Sequence, residues 1–488
     1  MRLKILYVTP ECFPFAKAGG LGDVAGALPS ALRARGHDVR IVMPRYRVTK
    51  KHEATLMSGP LGIPHGPSTI WTGVRRAELP PYPGSKSGVP VYFLEHDKLY
   101  DREGIYDDKH GGFGDNLERY SLLCRGAIEL CRYLGFEPDV IHVHDWPTCI
   151  LPVYLDTVEA GTDIARAATV LTIHNMAYQG WFERGEYPAT GLPRDPAAFR
   201  ALEFYDQINL LKAGILHSTI VSTVSPRYAR EIQSKDGGEG LDALVRARGS
   251  DVIGVLNGID ERTWNPAGDK HIAAPFSADD KRGKAACKAA LQRELGLEVR
   301  PDIPLIGLVS RLVTQKGIDI VAEAMGALLD LDVQMVLLGA GDAWAENLFQ
   351  TWSSESTRFR AWIGMNEGLA HRIEAGADLF LMPSRYEPCG LNQMYSQRYG
   401  TPPIVRAVGG LDDTVENGMT GFKFQDLTAD ALVSTTAWAV DIYRSAPARF
   451  AEIVDRCMRK EMGWSQAAQQ YDALYRLAVR RRRATLSA

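Results

Sequence analysis

The sequence predicts an α/β protein made of two doubly wound parallel sheets that face each other across a deep cleft. Three observations carry this expectation. Short continuous apolar runs recur along the chain, which is the pattern of strands buried on both faces rather than on one. Each run passes into a loop bearing glycine or proline and then into a helical period. The pattern stops in a polar stretch, residues 233–248, and starts again beyond it. A chain of 488 residues accommodates two such domains, since an ordinary domain takes about 100 to 200 residues.

Residues 4–9 form the first run. A loop follows with Lys17-Ala-Gly-Gly-Leu-Gly-Asp23, then a helical period over residues 24–35 stopped by Gly36, then a second strand at residues 38–43. This is a β-loop-α-β unit. Similar strands are expected at residues 91–95, 140–144, 168–174 and 219–225, while the Gly- and Pro-bearing stretch 51–90 is expected to hang from the sheet as a hairpin or flap. These elements define a first domain, residues 1–245. A second domain, residues 246–461, is expected to carry strands at 251–256, 304–310, 332–338, 379–383 and 403–406. A last helix, about residues 462–483, should pack back on the first domain. Cys124 and Cys131, one heptad apart, belong to a core helix face. The arginines 480–483 suit a helix C-terminus, which favours cations.

Composition removes several classes of function. Lysine and arginine total 56 against 59 aspartates and glutamates, a formal charge of −3, so no basic excess points to nucleic acid. With 45% hydrophobic and 24% charged residues the chain is globular rather than disordered. No run of about 18 apolar residues is present to cross a membrane. The first apolar run ends at Pro10, too short for a signal-peptide core. Seven cysteines without a C-x-x-C pair argue against a disulfide framework and a zinc ribbon. A large enzyme or a scaffold remains, and a cytoplasmic protein is expected.

Ligands of open parallel sheets bind beyond the carboxyl ends of the strands, and four motifs fall there. In Lys17-Ala-Gly-Gly-Leu21, adjacent glycines let backbone approach an anion while the following helix start turns N–H groups toward it. A phosphate or sugar-phosphate loop, a plain tight turn and a dinucleotide fingerprint all remain open. The last fits poorly, because strand two ends in Met43-Pro-Arg45 rather than in an acid. In His142-Val-His-Asp145 the alternation puts both histidines on one face, which suits metal ligands, structural histidines or a sugar-hydroxyl acceptor at Asp145. His174 closes the next strand as a loop histidine or a substrate contact. Arg311 and Lys316 leave one strand end together, as a solvated pair or as two cations converging on a diphosphate. In Glu387-Pro-Cys389-Gly390-Leu391 a carboxylate meets a helix start that can hold phosphate or sugar oxygens. The glycine turn 409–410 follows the next strand in the same manner.

These four motifs, in this order, resemble bacterial glycogen synthases and plant starch synthases over nearly the whole chain. The resemblance implies the GT-B fold of two Rossmann-like domains and a retaining transfer of glucose from ADP-glucose to the non-reducing end of an α-1,4-glucan, without metal or other cofactor. It implies that Gly20, Leu21, Arg311, Lys316 and Leu391 hold the donor diphosphate, with Lys17 beside the reacting phosphate. It implies a glucose-binding set of Asp145, His174, Asn257 and Glu387, joined by backbone groups of Cys389 and Gly390. Lys17, His174, Arg311, Lys316 and Glu387 are the catalytic candidates. Two positions depart from the family pattern: Tyr395 stands where a second glutamate is common, and Met365 where a tyrosine flanking the base is common. A phosphorylase of the same plan would need a pyridoxal phosphate lysine motif, which is not recognisable here. An inactive glucan-binding scaffold would be expected to lose Lys17, Arg311, Lys316 or Glu387.

Overall fold

The computed structural model describes residues 2–487, which form two compact units. The first runs through Gly258 and resumes at Trp464; the second is Ile259–Gly463.

The first unit is built on a ten-stranded sheet. Its order is Val252–Gly254, Ile220–Thr223, Ala168–Ile173, Val140–His144, Lys4–Val8, Asp38–Pro44, Val89–Glu95, Ser68–Leu79 and Thr55–Leu56, with Leu61–His65 paired beside Ser68–Leu79. Pairing is parallel as far as Val89–Glu95. Every residue of Val140–His144 and Ala168–Ile173 is buried, as continuous apolar runs require.

Two expectations are corrected. Residues 51–90 do contain a hairpin, Leu61–His65 against Ser68–Leu79, but it does not hang from the sheet: Ser68–Leu79 also pairs antiparallel with Val89–Glu95, so this stretch widens the sheet. Its alternating polar and apolar residues suit a strand wet on one face. The strand expected at 251–256 does not open the second sheet. Val252–Gly254 pairs in parallel with Ile220–Thr223 and ends the first sheet, which moves the division from residue 245 to Gly258. Apolar periodicity marks a strand without naming its neighbour, and this pairing needs a glycine: a Cβ on Gly254 would lie 2.2 Å from the Ser225 carbonyl oxygen.

The helix Trp464–Ser487 packs on the helix Gly20–Ala34 and the strand Ala168–Ile173 of the first unit. Its Tyr475 hydroxyl meets His142 Nδ1 at 2.7 Å, beneath the sheet. Arg482 donates to the Ala165 carbonyl at 2.6 Å and Arg481 pairs with Asp251 at 3.3 Å, so these C-terminal arginines are structural. Cys124 and Cys131 are buried on the helix Asn116–Tyr133.

The second unit holds a six-stranded parallel sheet in the order Phe359–Ile363, Gln334–Gly339, Leu305–Val309, Leu379–Met382, Pro403–Arg406 and Phe422–Phe424. Alternate residues feed two cores. Ile306, Leu308, Met335, Leu337, Leu379 and Leu381 enter one; Leu305, Val336, Leu338, Phe380 and Met382 enter the other.

Tyr475→Phe removes the partner of the buried His142 Nδ1. The unfolding midpoint of the first unit in denaturant should fall, by a margin corresponding to about 1–3 kcal/mol. An unchanged midpoint would contradict a structural role for this contact.

Candidate active site

The loop after Lys4–Val8 is closed by a residue that the sequence reading passed over. Glu11, only 3% exposed, accepts from Ala18 N at 2.6 Å and Gly19 N at 2.9 Å through Oε2, and from the Tyr106 hydroxyl at 2.6 Å through Oε1. The carboxylate thus takes the last two amides before the helix Gly20–Ala34 and leaves those of Gly20 and Leu21 at its start, ahead of its hydrogen-bond ladder. The glycines divide by purpose. A Cβ on Gly26 would lie 2.5 Å from the Phe13 carbonyl oxygen, and one on Gly22 would be 3.0 Å from Lys17, whereas one on Gly19 or Gly20 would meet nothing within 4 Å. Packing inside the protein therefore requires Gly26 and Gly22 but neither Gly19 nor Gly20. Lys17 is half exposed and pairs with Asp23 at 2.7 Å.

At the end of Val140–His144 the chain turns sharply. Asp145 has φ 53°, a conformation that side chains rarely adopt. Its Oδ1 accepts from His174 N at 2.6 Å, which joins two neighbouring strand ends. Burial pushes the Asp145 carboxyl up to about 7. His174 Nε2 lies 3.1 Å from His144 Nδ1, and burial lowers its imidazole to about 3, so the ring is neutral. His142 is engaged at both nitrogens, by Tyr475 and by Thr172 Oγ1 at 2.6 Å, as a structural histidine. Among the described residues no group of His, Cys, Asp and Glu is arranged to hold a metal ion. Asn257, beyond Val252–Gly254, is buried, and its Oδ1 has no hydrogen-bond partner among the described residues.

In the second unit Lys316 Nζ lies 2.6 Å from Glu387 Oε2, and Ser384 Oγ donates to the same oxygen at 3.1 Å. Glu387 is 6% exposed, so its charge is neutralised where water cannot do it. Arg311 is exposed and reaches Gln315 Oε1 at 3.1 Å. Arg311, Lys316, Glu387, Gly390 and Leu391 line one cavity of about 180 Å³. Its walls are fixed by backbone. Gly317 has φ 68°, and a Cβ there would lie 2.0 Å from the Pro383 carbonyl oxygen. The glycine turn at 409–410 lies under the Glu387 loop, where Gly410 N donates to the Glu387 carbonyl at 3.0 Å. Gly390 and Cys389 carbonyls accept from Gln393 Nε2 at 3.0 Å, and Leu391 caps the short helix Asn392–Arg398.

Within each unit, then, the structure brings together Asp145 with His174, and Arg311 with Lys316, Glu387, Gly390 and Leu391. Lys316 is not solvated alongside Arg311 but is paired with the buried Glu387. Tyr395 stacks on Trp264 at 3.8 Å between ring centroids, and Trp264 stacks on His371 at 3.9 Å. Met365 projects from its loop at 97% exposure. The roles of Glu11 and Trp264 rest on fold contacts that linear spacing does not contain, whereas Ser384 lies only three residues before Glu387, and its spacing within that motif is the signal that could have found it.

Comparisons with known proteins bear on the family and the fold. A family model of the starch synthase catalytic domain matches residues 4–247, and one of glycosyl transferases group 1 matches residues 303–441. A glycogen synthase of Anaeromyxobacter sp. (strain Fw109-5) is 49% identical over 484 residues, 97% of this chain and 99% of that one. Glycogen synthase 1 of Geobacter sulfurreducens is 48% identical over 492 residues, 99% of this chain and 97% of its own. The catalytic domain of starch synthase IV from Arabidopsis thaliana, bound to ADP and acarbose, superposes with a TM-score of 0.87 at 32% identity, covering 98% of this chain and 100% of that one. Sucrose-phosphate synthase from Thermosynechococcus elongatus, with a TM-score of 0.58 at 18% identity, shares the fold.

The raised Asp145 carboxyl gives a pH test. Between the ordinary carboxyl range and about pH 7 the folded chain keeps a proton that the unfolded chain has released. The stability contributed by this group is therefore full at the acid end and lost as pH rises through about 7. The buried histidines act in the opposite direction, so the reference is Asp145→Asn, which keeps an acceptor for the His174 amide. Relative to that variant, the parent's unfolding midpoint should fall from about pH 4 to about pH 7 and then level off. A difference independent of pH would contradict the assignment.

Proposed function

The chain belongs to the family of bacterial glycogen synthases and plant starch synthases, and from that membership we infer that it transfers glucose from ADP-glucose to the non-reducing-end O4 of an α-1,4-glucan, with retention at the anomeric carbon. The observation that carries the reading is the cavity where Lys316, held by Glu387 at 2.6 Å, stands beside Arg311 at the strand ends of the second unit. Two cations, one fixed by a buried carboxylate, suit the growing charge of a departing diphosphate.

In this reading Gly20 and Leu21 amides, Arg311, Lys316 and the Leu391 amide hold the diphosphate, and Lys17 lies beside it. Asp145, His174, Asn257, Glu387 and the backbone of Cys389 and Gly390 hold the glucose. The unpartnered Asn257 Oδ1 supports its place in that set, since a sugar hydroxyl would satisfy it. The reaction is a front-face substitution. The bond from the anomeric carbon to the diphosphate oxygen breaks, that oxygen takes the proton of the acceptor O4, and O4 bonds to the anomeric carbon on the same face. The His174 main-chain carbonyl or its neutral ring supports the positive sugar between the two events. The products are ADP and a glucan one unit longer. No step uses a metal ion. We place the reaction in the cytoplasm, which suits seven cysteines that are all free and buried.

A nucleotide-release assay with glycogen as acceptor tests this directly. ADP should be released from ADP-glucose faster than UDP from UDP-glucose, and release of neither would refute the enzyme reading. Lys316→Ala should lower kcat about 100- to 1000-fold while glycogen binding changes little. Because the variant leaves Glu387 without its cation, Lys316→Gln, which retains a donor, serves as a check on folding. Parental turnover in both variants would remove Lys316 from the mechanism.

A further inference from the structure

Beyond His174 the chain builds a small antiparallel sheet of its own. Trp181–Glu183 pairs with Gln207–Asn209, which pairs with Glu203–Phe204. The turn between the last two strands is Tyr205-Asp206, with φ of 51° and 61°. Two left-handed residues in a two-residue turn make a type I′ hairpin, which favours Asn-Gly because larger side chains are strained there. Tyr205 is held in that conformation while the residue is 82% exposed. It costs conformational energy and returns little burial, and strain retained without a folding benefit points to a use outside the fold.

The ring has company. Tyr205 lies 4.5 Å from Phe204, and Phe204 lies 5.7 Å from Trp181, measured between centroids. Tyr178 and Trp181 are themselves about half exposed. Exposed hydrogen-bonding groups stand among these rings: Arg184 pairs with Asp206 at 2.5 Å, and Gln207 Nε2 donates to Glu183 Oε1 at 3.3 Å. Aromatic faces interspersed with polar groups fit a chain of glucose units, which offers apolar C–H faces and hydroxyl edges in alternation. A protein partner would call for a larger continuous apolar core.

The sheet is rooted beside the candidate active site. Leu210 N donates to the Gly180 carbonyl at 3.1 Å. Gly180 presses on Trp146, the residue after Asp145, so closely that a Cβ would be 2.7 Å from the ring. The aromatic patch is thus continuous with the strand ends that carry Asp145 and His174.

We propose that Trp181, Phe204 and Tyr205 form a platform that holds acceptor glucan away from the reacting end. The proposal rests on the glucan-transfer reading, but it is tested by binding alone. Retardation in native gels containing glycogen, without nucleotide sugar, should weaken about three- to ten-fold for Tyr205→Asn, a factor within what one aromatic contact commonly contributes. Asparagine tolerates the left-handed turn, so the thermal midpoint should match or exceed the parent's. Tyr205→Phe keeps the ring and should keep retardation. ADP release with maltotriose as acceptor should persist in both variants.

Parental retardation of Tyr205→Asn would overturn the proposal. So would loss of maltotriose turnover in step with retardation, which would place the ring in the reaction centre. Sedimentation showing a dimer lost in Tyr205→Asn, with glycogen binding intact, would assign the patch to a second copy of the chain and overturn it likewise. A parent that binds glycogen yet releases no nucleotide would refute the transfer reading and leave the platform standing.

Discussion

A parallel sheet covered on both faces has no room for a charge along its strands, so polar chemistry collects beyond their carboxyl ends. The rest of this protein follows from that constraint. Glu11 and the glycine loop come after Lys4–Val8, Asp145 after Val140–His144, His174 after Ala168–Ile173, and Asn257 after Val252–Gly254. In the second unit Arg311 follows Leu305–Val309 and Glu387 follows Leu379–Met382. Each candidate group stands on a rigid support, while its tip lies where the dry interior ends.

The same dryness sets protonation. The buried polar residues inside the first sheet are neutral and paired in a chain: Tyr475 to His142, His142 to Thr172, and Thr172 to Ser222 at 2.6 Å. Burial lowers the pKa of His142, His144 and His174 alike, and raises that of Asp145. In the proposed reaction a neutral imidazole at His174 would not repel a forming sugar cation, whereas an imidazolium would. The last helix is part of this arrangement, since its Tyr475 fixes one end of the chain of hydrogen bonds.

Anion-facing loops need their own charges restrained before a ligand arrives. Glu11 takes two loop amides, Asp23 pairs with Lys17, and Glu387 pairs with Lys316. In the proposed reaction a cation tethered to a carboxylate is positioned beforehand, so less reorganisation would be required as diphosphate charge grows. Glycines complete the restraint where backbone must touch backbone, as at Gly317 against Pro383 and at Gly409 against Glu387.

Continuous apolar runs and the loops that follow them are enough to read two doubly wound sheets, and the four motifs in their order carry the family resemblance; the candidates Lys17, Asp145, His174, Arg311, Lys316 and Glu387 all sit in motifs that can be read in one dimension. The remainder lies in pairings between segments far apart in the chain. Nothing in residues 251–256 says which sheet they join, because a strand's periodicity does not specify its neighbour. Tyr395 shows no sign in the sequence of its stack on Trp264. Glu11 lies near the loop in sequence, but its role depends on the chain folding back so that Ala18 and Gly19 amides meet its carboxylate. The strain at Tyr205 depends on a hairpin register that local sequence leaves open. The sequence by itself determined which candidate groups stand at the strand ends, since residue type and spacing fix local structure. Only the tertiary structure decided which partner restrains each charge, because those distances arise when separate strand ends are brought side by side.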